Sequence, residues 1–218
     1  MGFMIVAGVD EAGRGAAIGP LVVACVSIRA RHIPKLVSIG VKDSKLLEYD
    51  LRFNLANDIR RYAYQIEYKV VDAKTVDKAV YKHKLNRLEL EVMAELLNRV
   101  KYDIAIIDSP LRDCSKVVGF ISQKVEGHVL ATHHADRKFV TVACASIIAK
   151  TIRDSLVEKL KKKFGDFGTG YPSDPKTIEF IKRYGRERFS IIRTSWITIK
   201  RLFLDQKTLL DFMIDEKV

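Results

Sequence analysis

Cysteine is scarce in this 218-residue chain: Cys25, Cys114 and Cys144 are the only three, and no two form a C-x-x-C pair. An odd, scattered set excludes a disulfide framework and a zinc ribbon and fits a reducing cytosol. A long unbroken apolar run is missing too. The one candidate, Met1 to Ile28, is interrupted by Asp10, Glu11 and Arg14. Neither a signal peptide nor a membrane-spanning helix carries such charges at its centre. A soluble, cytoplasmic protein without membrane association is expected. Internal repeats, low-complexity tracts and obvious linkers are also absent. The length therefore suits one large domain, or one with a modest appendage, able to bury a core without metal or disulfide staples.

What the chain has in surplus is positive charge. Lys and Arg number 38 against 27 Asp and Glu, a formal net charge of +11 and a pI near 9.5. A polyanion, nucleic acid foremost, is the partner such a balance suits, although a coat of lysines also serves solubility alone. Hydrophobic residues make up 48%, which excludes disorder as a global description.

Apolar runs at Phe3 to Val9 and Leu21 to Ile28 predict two buried strands joined by a glycine-rich connection containing Gly13, Gly15, Gly19 and Pro20. Further strands are predicted at Tyr64 to Val71, Asp103 to Asp108 and Val125 to His134, the last leading into Asp136. Helices are predicted at Leu47 to Tyr62 and Leu85 to Val100, with Leu85, Leu88, Val92, Leu96 and Leu97 on one face. From Cys144 a long helix repeats Ile148, Ile152, Leu156 and Leu160, and Lys161 to Lys163 suit its negative end. Asp174 and Pro175 cap and open another helix, and Ser195 to Met213 also reads as helical. Strands and helices that alternate and then give way to helices argue for a mixed α/β core with a helical C-terminal subdomain.

Four carboxylates fall at or just past the ends of predicted strands: Asp10, Glu11, Asp108 and Asp136. They are either separate solvated loop acids or a cluster. A cluster in a partly dry cleft would repel itself by several kcal/mol unless hard divalent cations neutralised it. Asp10 and Glu11, being adjacent, share such a site only if the strand ends there and the chain bends. Gly8 to Gly15 resembles a phosphate-binding loop superficially, yet Arg14 and Gly15 stand where lysine and a hydroxyl are needed, and two acids occupy the anion's place. Gly13 to Gly19 misses the dinucleotide fingerprint by one residue. A nucleotide-dependent phosphotransferase is therefore disfavoured. His133 and His134 lack zinc-ligand spacing to any cysteine and read as strand residues.

These residues resemble the type 2 ribonuclease H family, ribonuclease HII, in its archaeal form. Gly8-Val-Asp10-Glu11-Ala-Gly13-Arg14-Gly15 with Gly19-Pro20 is similar to the family's opening motif. Asp43-Ser44-Lys45, Ile106-Ile107-Asp108, His134-Ala135-Asp136, Ala145-Ser146 through Lys150 and Arg153-Asp154, and Gly170-Tyr171-Pro172 follow in the family's order. Ala16 and His134 stand where many members have proline and lysine. The resemblance implies a ribonuclease H-like mixed-sheet α/β core with flanking helices at 1–164 and a helical substrate-binding subdomain and tail at 165–218. It implies that Asp10, Glu11, Asp108 and Asp136 are catalytic and bind two Mg2+ or Mn2+ ions. The activity implied is endonucleolytic hydrolysis of the RNA strand of RNA:DNA hybrids and nicking 5′ of ribonucleotides embedded in duplex DNA, leaving 5′-phosphate and 3′-hydroxyl. Such an enzyme serves ribonucleotide excision and RNA primer removal. Gly13, Arg14, Gly15 and Tyr171 would read the ribonucleotide junction, and Asp43, Ser44, Lys45, Ser146, Lys150 and Arg153 would contact or support phosphate. Trp196 with Arg193 and Ser195 would pack the C-terminal helices, with Arg193 also a candidate for meeting phosphate.

The stretch Gln206-Lys-Thr-Leu209-Leu-Asp-Phe212-Met213 resembles the short motif with which replication and repair proteins dock on a sliding clamp. Met213 stands where an aromatic is usual, and the same spacing also suits the inner face of a terminal helix; both readings stay open. A monomer is expected. The rival from another class is a catalytically silent duplex-binding module that uses its charge for affinity alone, against which the four acids count.

Overall fold

In the computed structural model the first apolar run forms β1, Ile5–Ala12, and the valine-rich run forms β2, Leu21–Arg29. Residues 4–41, 49–185 and 190–203 are described; Asp43, Ser44, Lys45 and the motif Gln206 to Met213 lie outside them. β2 is buried on both faces from Leu21 to Ile28, which is why its pattern is continuous rather than alternating. With β3, Gln65–Val71, β4, Ile104–Asp108, and β5, His128–Thr132, these strands form a sheet in the order β3-β2-β1-β4-β5. β1 runs antiparallel to β2 and parallel to β4, and β4 runs parallel to β5. The sheet is thus mixed and flanked by helices, as expected.

β1 corrects one expectation. The strand does not end before the acids: Asp10 pairs with Ala24 and Glu11 with Val23, and the ladder runs on to Ala12. β2 supplies backbone partners along that whole length, so no bend is needed to satisfy the chain. The tip exists only on the other edge, where the β4 ladder stops at Val9 with Ile107. β5 is likewise shorter than predicted, and Asp136 sits not at a strand end but in the short helix α6.

The helices are α1, Ile33–Ser38, α2, Tyr49–Tyr62, α3, Ala73–Tyr81, α4, Leu85–Leu97, α5, Cys114–Ser122, α6, Ala135–Lys138, α7, Val140–Phe164, and α8, Pro175–Tyr184. Backbone at 197–203 is helical as well. α7 starts four residues earlier than predicted because Thr141, Val142 and Ala143 are buried against the sheet. Among the described residues no helix is long and apolar enough to cross a membrane.

Two compact units emerge. The first comprises Met1–Arg14, Val22–Val70 and Leu85–Asp154, and so holds the sheet, α4, α5, α6 and the first part of α7. The second comprises Gly15–Leu21, Val71–Lys84 and Ser155–Val218. Its core gathers Ile18, Val157, Phe167, Phe180, Ile181, Ile192 and Ile199. Asp77 of α3 accepts hydrogen bonds from the amides and hydroxyls of Thr194 and Ser195. Arg193 is wholly buried and donates from Nε to the Gly19 carbonyl, so its side chain serves this core, and Trp196 packs against the same cluster.

Gly8 positions the first unit. A Cβ there would lie 2.1 Å from the Thr141 carbonyl carbon, so the backbone of α7 rests directly on β1. Gly119 in α5 is the opposite case, with nothing within 4 Å of a built Cβ. Gly8→Ala is expected to cost about 3 kcal/mol or to prevent folding, and Gly119→Ala to stabilise by about 0.5–1 kcal/mol through helix propensity. Urea unfolding of both variants checks this; similar midpoints would mean that α7 does not bear on β1 at Gly8.

Candidate active site

The next positions beyond the Val9–Ile107 pair are Asp10 and Asp108, so these two acids end up side by side on neighbouring parallel strands, on one face of the sheet. That is also the Gly8 face, against which α7 lies. One helical turn and a little more beyond Thr141, α7 brings Ser146 and then Lys150 to Asp10: both bear on its ionisation. Asp108 Oδ1 accepts the amide of Ala135 at 3.1 Å, tying α6 to the end of β4. His134, in a left-handed conformation with φ 55°, turns the chain into α6, so Asp136 follows immediately and is buried. Asp10, Glu11, Asp108 and Asp136 thus all belong to the first unit.

Burial dominates the electrostatics. Asp10 is pushed up to about 7 by burial, opposed first by the Ser146 hydroxyl, with Asp108 adding repulsion and the Glu11 amide and Lys150 opposing. Ser146 Oγ approaches Asp10 without forming a well-made hydrogen bond, whereas the Glu11 amide donates to Asp10 Oδ1 at 2.7 Å. Glu11 is held well above the carboxylate range by burial and then by the charges of Asp10, Glu89 and Asp108, against the pull of Arg14. Its Oε2 is shut off from water and accepts no hydrogen bond from the described residues. A buried, unengaged carboxylate oxygen among other acids suits a hard divalent cation, whose preferred ligands are carboxylates. Among the described residues no three His, Cys, Asp or Glu side chains are close enough to hold an ion as they stand.

The glycines of the 13–15 segment have different reasons. Gly13 has φ 85°, which other residues avoid. Gly15 has ordinary φ and open space around a built Cβ, so nothing in the protein itself requires glycine there. Arg14 between them donates from Nε to Glu89 of α4. Arg153 is buried, and Asp154 is bonded by Arg52 of α2 at 2.5 Å.

Tyr171 and Gly15 fall in the second unit. Tyr171 is half-buried on a loop built by Asp174, which accepts the amides of Thr169 and Lys176 at 2.7 and 2.9 Å and is held below the usual carboxylate range, chiefly by the Thr169 amide. The carbonyl of Gly170 accepts the amides of Ala17 and Ile18 at 2.8 and 3.0 Å. His133 lies just past β5, with Nε2 3.0 Å from the Arg112 carbonyl and 3.5 Å from Cys114 Sγ. Local spacing gave no sign of that pair. Glu89 was missed as well, although a signal existed: it is a charge on the buried face of α4, in step with Met93 and Leu96.

The family model described as ribonuclease HII matches residues 7–199 of this chain. Ribonuclease HII of Pyrococcus furiosus is 40% identical over 206 residues, 91% of each chain. The crystal structure of ribonuclease H2 from Pyrococcus horikoshii is similar with a TM-score of 0.85 at 40% identity, covering 91% of this chain and 97% of that one. The ribonuclease HII in the structure of the PCNA:RNase HII complex from Archaeoglobus fulgidus gives a TM-score of 0.83 at 39% identity, over 88% and 95%.

The raised acids carry a stability consequence. Between the ordinary value of 3.8 and the folded value of about 7 for Asp10, the folded chain keeps a proton that the unfolded chain has released, so stability falls as pH rises through that window. In chelator at pH 8, Asp10→Asn is expected to be more stable than the unsubstituted protein by on the order of 3 kcal/mol, with the two converging towards pH 4. Equal urea midpoints at pH 8 would mean that Asp10 is as well solvated as a surface acid.

Proposed function

Because this chain belongs to the ribonuclease HII family, we propose that Asp10, Glu11, Asp108 and Asp136 are its catalytic acids. The protein is a ribonuclease H, an endonuclease that hydrolyses the RNA strand of RNA:DNA hybrids and depends on divalent metal. Magnesium or manganese held by the four acids would supply the Lewis acidity that activates water against phosphorus and stabilises the departing 3′ oxygen. The observation that carries this assignment is the crowding of Asp10, Glu11 and Asp108, each raising or bearing on the proton affinity of another. A group of buried acids in a protein of charge +11 weakens binding of a polyanion unless cations turn it to use.

The chain's own residues do the rest. Lys150 lies close enough to Asp10 to favour its ionised form and offers a positive charge to the scissile phosphate. Ser146 presents a hydroxyl on the same helix face, and Arg153 supports that face from beneath. At the loop, backbone amides of Gly13 and Gly15 with Arg14 read the sugar and phosphate at the step from ribonucleotide to deoxyribonucleotide. Gly15 keeps that approach open, since a Cβ there would meet only an incoming ligand. Tyr171 offers a face against which the sugar or base at the junction packs, and the 2′-hydroxyl is the group that marks the ribonucleotide. Asp43, Ser44 and Lys45 contact phosphate. The segment 165–218 serves as the substrate-binding subdomain and tail. Nicking 5′ of embedded ribonucleotides, with 5′-phosphate and 3′-hydroxyl ends, follows, and it suits ribonucleotide excision and primer removal. One chain supplies all four acids, so a monomer suffices. Gln206, Leu209, Phe212 and Met213 form a docking peptide for a sliding clamp, a reading supported by the clamp complex of the Archaeoglobus fulgidus relative.

The test uses end-labelled duplex DNA with a single ribonucleotide, incubated with magnesium, manganese or chelator. Metal-dependent nicking at the 5′ side of the ribonucleotide is expected, reduced roughly a hundredfold or more in Asp108→Asn and absent on all-DNA duplex. Binding without nicking under either metal would overturn the assignment in favour of a silent duplex-binding module. For the tail, Phe212→Ala is expected to weaken binding to an archaeal sliding clamp about tenfold or more in a fluorescence titration. Unchanged affinity would assign the motif to the inner face of a terminal helix instead.

A further inference from the structure

Glu89 occupies a position where the periodicity of α4 calls for an aliphatic side chain. It shares the buried face with Met93 and Leu96, and its side chain has no exposure at all. An ionised carboxylate in such a place is tolerated only with a close cationic partner. That partner comes from 75 positions away: Arg14 Nε donates to Glu89 Oε1 at 2.8 Å and to Oε2 at 3.0 Å. Asn86, one turn earlier on α4, accepts from Arg14 Nη2 through Oδ1 at 2.7 Å. Three acceptors in two directions fix both the position and the plane of a rigid guanidinium. About a third of the Arg14 side chain, 37%, remains exposed, so the group is anchored on one side and presented on the other.

The setting makes that anchoring consequential. Arg14 sits between Gly13, whose φ of 85° only glycine adopts easily, and Gly15, which has open space around it. A segment with two glycines in three residues has little stiffness of its own. A leucine at position 89 would continue the buried stripe and need no partner, so packing of α4 does not account for the acid. We propose that Glu89 and Asn86 are positioning residues that hold the Arg14 guanidinium in the orientation needed to read the ribonucleotide junction, and so set the preference for ribonucleotide-containing over all-DNA duplex. This rests on the junction-reading role given to Arg14 above. Both act on the junction through Arg14; the charge of Glu89 also bears on Glu11, an effect that the uncharged Asn86 does not share.

The experiment compares the unsubstituted protein with Glu89→Gln, Asn86→Ala, Arg14→Ala and the double variant Arg14→Ala/Glu89→Gln. Affinities for duplex with one ribonucleotide and for all-DNA duplex are measured in chelator, and kcat and KM for nicking in magnesium. Glu89→Gln is expected to lower the affinity ratio about tenfold and to raise KM more than it lowers kcat, and Asn86→Ala to do the same by about threefold. The double variant is expected to match Arg14→Ala alone, because the clamp has nothing left to hold. A purely structural role for Glu89 predicts losses that multiply in the double variant and a fall in urea midpoint without a change in ratio; either result overturns the proposal. Asn86 is exposed, so Asn86→Ala decides the matter even where Glu89→Gln fails to fold: an unchanged ratio in it counts against the clamp. An unsubstituted protein that neither prefers nor nicks the ribonucleotide duplex would remove the junction reading and this proposal together. One that prefers and nicks it while Glu89→Gln and Asn86→Ala keep the full preference removes this proposal alone.

Discussion

The contact on which the first unit depends is made without a side chain, where the first turn of α7 rests on β1 at Gly8. Because a Cβ at Gly8 would coincide with the Thr141 backbone, helix and strand meet at a distance that no other residue allows. Everything on that face is then set by period. Two residues along β1 comes Asp10 on the same side, and five and nine residues along α7 from Thr141 come Ser146 and Lys150. The lateral neighbour of Asp10 is fixed by the parallel ladder, which delivers Asp108. A single missing methyl group thus decides which hydroxyl and which ammonium stand over the acids.

The acids are a liability to the fold that carries them. Burial and mutual repulsion raise Asp10 and Glu11, and the raised affinity for protons measures how poorly their charged forms are accommodated. Protein groups offset only part of this: the Ser146 hydroxyl, the Glu11 amide and Lys150 at Asp10, and Arg14 at Glu11. Under the proposed assignment the remainder is what a bound dication would relieve, so the same crowding that weakens the metal-free protein would be the source of its affinity for metal. Function and stability pull in opposite directions here, as they do wherever like charges are gathered on purpose.

Local pattern was enough to find the strands, the long helix and the Asp174 cap, because each is written in residues a few positions apart. Asp108 was legible for the same reason: it terminates an apolar run. The extent of β1 was not, since an acid in the strand pattern reads as an end unless the partner strand is known to continue beside it. Asp136 was placed near the right point but on the wrong element, because the left-handed turn at His134 has no signature in a residue that rarely adopts it. Glu89 with Arg14, Arg52 with Asp154, and Cys114 with His133 join residues 75, 102 and 19 positions apart. Such pairs are products of the fold, and only the charge on the α4 stripe hinted at one of them. The resemblance to a family is the source of the roles proposed for Gly13, Arg14 and Gly15, while the structure added that, of these two glycines, only Gly13 needs to be glycine for backbone reasons.

The parallel ladder between β1 and β4 also has a kinetic meaning. β1 meets its antiparallel neighbour β2 across a loop of a few residues, but meets β4 only after a loop of 98 has closed, the separation bridged by the Ile5 amide on the Asp103 carboxylate. Closures of that length form late, because their entropy is lost before any contact repays it. On topology alone the β1–β2 hairpin and the local helices are expected to form ahead of the approach of Asp10 to Asp108, so the closure that completes the sheet is also the one that brings the two charges together.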